Sequence, residues 1–93
     1  MIDGDVKEFV DNLYYGSEMY FVFQGRKYFV QGWYKEPFHH LVLTYDDDIN
    51  FVHGYIFEHC SQDSAECVKA FLEAKLWDGK TFYEVEKEII WTD

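Results

Sequence analysis

The sequence predicts an α+β fold: a four-stranded antiparallel meander with an N-terminal helix and two C-terminal helices packed on one face. Three observations carry that prediction. Aromatic and β-branched runs with period-two alternation fill residues 18–59, helically spaced apolar residues flank them on both sides, and Gly, Pro and Asp clusters separate the runs. A sheet with one apolar face needs a cover, and the helices supply it.

The 93 residues argue for a single domain, 1–93, with a modest core. Nine Phe, eight Tyr and three Trp partly offset the small size, because each large ring removes roughly 150–250 Å² from water.

In "DGDVKEFVDNLYYG", Asp3 or Asp5 caps a first helix, Val6, Phe9, Val10 and Leu13 form its apolar stripe, and Gly16 ends it. "EMYFVFQGRKYFVQGWY" reads as a hairpin about a Gly25-Arg26 turn, with Phe23 opposite Tyr28 and Phe21 opposite Val30. Met19, Phe21, Phe23, Tyr28 and Val30 then share one face, and Glu18, Gln24, Lys27 and Gln31 the other. Pro37 marks a loop. "HHLVLTY" and "FVHGYIFEH" form a second hairpin joined by "DDDIN". Pairing Tyr45 with Phe51 sets Leu43 against His53, Leu41 against Tyr55 and His39 against Phe57. Ser64 or Asp63 then caps a helix running to Trp77, with Cys67, Val68, Phe71 and Leu72 inward, and Asp78-Gly79 stops it. Thr81 and Glu84 stand at capping-box spacing and open a last short helix to about Ile89.

Charge narrows the function. Eighteen Asp and Glu against eight Lys and Arg leave a net charge of −10. Direct nucleic-acid binding needs the opposite sign. An acidic surface steers a basic protein partner into contact, and it also simply keeps a small protein soluble. There is no apolar run of the ~20 residues that a membrane span needs. "MIDGDVKEF" lacks the pattern of a secretion signal, so a cytoplasmic setting is expected, where a Cys60–Cys67 disulfide is disfavoured.

The scarce soft ligands converge on that register. His39 and His40 begin the third strand, His59 and Cys60 end the fourth, and Cys67 lies in the first turn of the next helix. Two thiolates and two imidazoles from this set suit a tetrahedral structural zinc, with the helix N-terminus favouring the Cys67 thiolate. The alternative is two free thiols and hydrogen-bonded edge histidines. Asp46, Asp48 and Asn50 have the first spacings of a calcium loop, but Phe51 and Phe57 occupy its glycine and glutamate positions. "DDDIN" therefore reads as a solvated tip, or as an acidic prow made of Asp46, Asp47 and Asp48, with Glu18, Glu36 and Glu58 as further partner-binding candidates on the outer face. Tyr14, Tyr15, Tyr20 and Trp33 form an exposed aromatic set suited to a protein partner. No nucleophile elbow, Gly-rich phosphate loop or spaced carboxylate pair is present, and no enzymatic activity is expected.

"YYGSEMYFVFQGRKYFVQGWYK" and "ECVKAFLEAKLWDGKTFYEVEKEI" resemble a group of small acidic proteins of Firmicutes and their mobile elements, including phages. Size, charge and character are similar to those of the type II-A anti-CRISPR proteins. That resemblance implies binding to an RNA-guided CRISPR nuclease in a bacterial host and a block on DNA loading or cleavage. An immunity or antitoxin-like protein that neutralises a basic partner is the alternative.

Overall fold

Asp5 accepts a hydrogen bond from Lys7 N–H at 3.2 Å and starts helix α1, Val6–Tyr15. Gly16 ends it in the left-handed region, with its own N–H on Leu13 O and Ser17 N–H on Asn12 O, the double bond pattern of a Schellman cap. These caps belong to a computed structural model that describes residues 1–92; Asp93, the last residue of the expected domain, lies outside it.

The strands are β1 Met19–Phe23, β2 Arg26–Lys35, β3 Phe38–Tyr45, β4 Phe57–Ser61 and β5 Ile90–Trp91. They form one sheet in the order β4-β3-β2-β1-β5 with every neighbour antiparallel. The fold is α+β as expected, but the sheet has five strands instead of four. The fifth is a two-residue strand laid beside β1, where Trp91 pairs with Phe21 and Ile90 with Val22. Its outer edge is closed by Ile2, which exchanges backbone bonds of 2.8 and 2.9 Å with Ile89 and Trp91.

Both hairpins differ from expectation in register. The first turns on Gln24-Gly25, both at positive φ, so Phe21 faces Tyr28 and Met19 faces Val30. Two consecutive residues at positive φ make a type I′ turn, whose twist matches that of the flanking strands. In the second, Leu43 pairs with Phe57, Leu41 with His59 and His39 with Ser61. Residues 46–56 are therefore a long ordered loop, not a five-residue tip followed by strand. Both slips are even in residue count, so the side chains that remain in strands keep their predicted face, whereas Tyr55 leaves the core side for the open one.

Helix α2, Ser64–Glu73, is capped by Asp63 and stops short of the expected Trp77. The chain then makes a tight turn at Asp78-Gly79, closed by Trp77–Lys80 backbone bonds of 3.2 and 3.0 Å. Ending the helix early drops the Trp77 ring among Phe21, Phe23, Tyr28 and Phe71. Burial of that much apolar area outweighs a few more helical bonds. Thr81 N–H donates to Glu84 at 2.9 Å and opens α3, Phe82–Val85, followed by a 3-10 turn at Glu86–Glu88.

All helices cover one face. Phe9 and Leu13 of α1, Val68 and Phe71 of α2, and Trp77, Phe82, Val85 and Ile89 pack against Met19, Phe21, Val30, Leu41 and Leu43. The other face carries Tyr20, Phe29, Trp33, His40, Val42 and Cys60, with no helix over it among the described residues. Among them, too, no helix is long and apolar enough to cross a membrane.

Candidate protein-binding surface

The close approach of two glycines builds the most distinctive surface. Gly32 N–H donates to Gly16 O at 3.2 Å, so the end of α1 rests directly on the backbone of β2. A Cβ on Gly32 would lie 2.9 Å from both Gly16 Cα and His40 O. This contact holds Tyr14 and Tyr15 beside the end of the β2–β3 hairpin, where Trp33, Tyr34 and Phe38 are also exposed. Between α1, the start of α2 and the sheet lies a cleft of about 290 Å³ lined by Leu13, Tyr15, Tyr34, His39 and Ser64. Tyr15 is 82 % exposed and Tyr34 58 %, and exposed rings grouped at one end suit a protein partner. Of the expected aromatic set, Tyr14 and Tyr15 border this cleft from α1, and Trp33 reaches its rim from the open face. Tyr20 does not: it stacks on Phe29 at 4.8 Å further along the outer face. Tyr34 and Phe38 complete the cluster, and their position beside Glu36-Pro37 was the signal for them.

The five candidate metal ligands are divided by the pleat. His39 and His59 point to the helix-covered face with Cys67 beneath α2, whereas His40 and Cys60 are paired on the open face. His40 stacks on Trp33 at 5.0 Å, and His39 lies tilted against Tyr34 at 4.7 Å. Among the described residues no three His, Cys, Asp or Glu side chains are grouped to hold a metal. Burial, with a smaller effect from the nearby Cys60, pushes the Cys67 thiol up. Its Sγ lies 3.5 Å from His39 O and 3.8 Å from His59 O, the place of a neutral S–H donor. Cys67→Ser should cost about 1–3 kcal/mol and Cys60→Ser less than about 0.5 kcal/mol, measured by urea unfolding. An equal, chelator-sensitive loss in both would restore the four-ligand site.

The three aspartates of the loop have internal partners. Asp46 lies 3.9 Å from Lys27 and Asp47 3.4 Å from Arg26. Asp48, its side chain only 4 % exposed, accepts from Val52 and His53 N–H at 2.8 Å each and folds the loop around itself. Lost hydration disfavours its carboxylate, but those N–H groups and the His53 ring outweigh this and hold its pKa below the ordinary value. A depressed folded-state pKa means the stabilisation is complete above the unfolded value of about 3.9 and is lost as pH falls through the folded one. Protection of the Val52 and His53 amides, relative to their intrinsic exchange at each pH, should therefore fall on acidification below about pH 4, and Asp48→Ala should abolish it at every pH. Protection unaffected by acid would contradict that role.

Glu18 and Glu36 are exposed at the same end of the sheet as the aromatic cluster, as is Asp11, one helical turn before Tyr14 and Tyr15. Glu58 is exposed on the open face. The chain has no match among family models, curated proteins or solved structures.

Proposed function

We propose that this chain is a non-enzymatic inhibitor that binds a basic protein partner, most concretely the RNA-guided nuclease of a type II-A CRISPR system, and blocks DNA loading or cleavage. The observation that carries the reading is the exposed aromatic end with Asp11, Glu18 and Glu36 around it. Rigid rings supply contact area at low entropic cost, and acids at the rim select a basic counterpart and accelerate encounter. A nucleic-acid channel in such a nuclease is a surface of that sign. Glu18 and Glu36 take the leading electrostatic role. Asp46, Asp47 and Asp48 take a lesser one, because they are engaged within the chain.

Purified type II-A nucleases loaded with guide RNA should lose DNA cleavage when the protein is added before target. The combined Trp33→Ala and Tyr34→Ala change should weaken inhibition by about a hundredfold, as two hot-spot truncations of ~1–2 kcal/mol each. Glu18→Lys with Glu36→Lys should weaken it less and flatten its salt dependence. Unaltered cleavage across a panel of such nucleases would remove the nuclease as partner and leave the toxin-neutralising alternative.

A further inference from the structure

The two edges of the sheet are treated differently. At the β5 edge, Ile2 occupies the free backbone positions. At the other, β4 has β3 on one side and no strand on the other among the described residues. The ladder shows which groups are left over. Asp46 N–H donates to Lys27 O at 3.0 Å, so in β3 the residues bonded to β2 are 40, 42 and 44. Alternation turns 39, 41 and 43 toward β4, where their partners are Ser61, His59 and Phe57. The N–H and C=O groups of Glu58 and Cys60 consequently point away from the sheet. Neither Pro nor Lys, the usual guards of an edge strand, occurs in Phe57–Ser61.

Beside this edge the open face forms a groove of about 440 Å³ lined by Trp33, His40, Val42, Tyr55, Glu58 and Cys60. Tyr55 comes from the 46–56 loop. Glu58 is the one acid in the groove, and it has no ionic partner among the described residues.

We propose that β4 accepts an extended basic segment of a protein partner as a sixth strand, with its backbone on Glu58 and Cys60 and a Lys or Arg on the Glu58 carboxylate. An apolar or aromatic side chain of the same segment fills the groove between Trp33 and Tyr55. Strand addition takes its affinity from main-chain bonds and its selectivity from alternate side chains, so one free edge and one acidic groove suffice. Charge decides the occupant. A second copy of this chain brings a further −10, and an acidic segment meets Glu58 directly. The inference shares with the inhibitor reading the sign of the partner's charge and one residue, Trp33.

The test uses a short, end-blocked peptide of alternating Lys and Val, a counterpart with Glu for Lys, and amide chemical shifts of the full chain. Shift changes should centre on residues 57–61 and Trp33, and the Lys peptide should bind at least about tenfold more tightly than the Glu peptide, the effect of one ion pair in partly dry surroundings. Cys60→Pro deletes an outward N–H without touching the ladder to β3, and Glu58→Lys reverses the groove's charge. Each should weaken Lys-peptide binding by about tenfold or more, at a melting temperature that certifies the fold. Binding that survives both changes, equal binding of the two peptides, or shifts confined to the α1 end would overturn the proposal. So would a dimer that Cys60→Pro dissolves, which would assign the edge to a second copy. Lys-peptide binding lost in both variants with nuclease inhibition intact would support the sixth strand and separate it from the inhibitor surface.

Discussion

Trp77→Ala should cost about 3–5 kcal/mol and lower the melting temperature by roughly 20 °C. The indole is 1 % exposed and touches rings from β1, β2 and α2, so it joins three elements with a single side chain. Its removal leaves a cavity among Phe21, Phe23, Tyr28 and Phe71 that rigid rings cannot close by rotating. Trp77→Phe separates packing from polarity. The indole N–H has no acceptor among the described residues, so phenyl substitution loses area but also removes an unpaired donor. That variant should lose less than about 2 kcal/mol. Equal losses in both variants would mean that the indole matters through something other than filled volume.

The second large effect falls on Gly32→Ala, expected to cost about 2–3 kcal/mol through overpacking. A methyl here meets backbone on two sides, at Gly16 Cα and His40 O, and backbone cannot swing aside as a side-chain tip can. Gly25→Ala is the internal control. It is at φ +78 with nothing within 4 Å of the added carbon, so only the conformational cost of about 1 kcal/mol applies. Gly32→Ala should also push α1 away from the sheet and scatter Tyr14 and Tyr15 from the hairpin rings. Partner binding should then drop in the folded variant. A variant as stable as the parent would contradict the glycine contact itself.

Much of this architecture was legible because side-chain parity survives errors of register. The first hairpin is displaced from expectation by two residues and the second by four, yet Met19, Phe21, Val30, Leu41 and Leu43 face the core as read. The caps at Asp5, Gly16 and Thr81 were readable because they are local. What escaped was non-local. The 46–56 loop is ordered by one carboxylate reaching two N–H groups several residues ahead, and β5 exists because two residues find an edge on β1. The division of the zinc candidates between two faces was also legible. His39 and His59 are odd-numbered and His40 and Cys60 even-numbered on paired strands, so alternation alone places them on opposite faces. The internal partners of the acidic loop were not legible: a run of three aspartates counts as charge in the sequence, while the fold provides Lys27, Arg26 and backbone donors for them.

The three tryptophans occupy three different surroundings: Trp77 sealed in the core, Trp91 half-covered at the sheet edge and Trp33 at the exposed aromatic end. Indole emission moves to longer wavelength as its surroundings become more polar, so the molecule carries its own optical gauges. Trp77 should redden when the core opens, and Trp33 should turn blue when a partner covers it. With Trp91 exchanged for Phe, occupancy and unfolding become separate colours in one titration, and no dye need be attached.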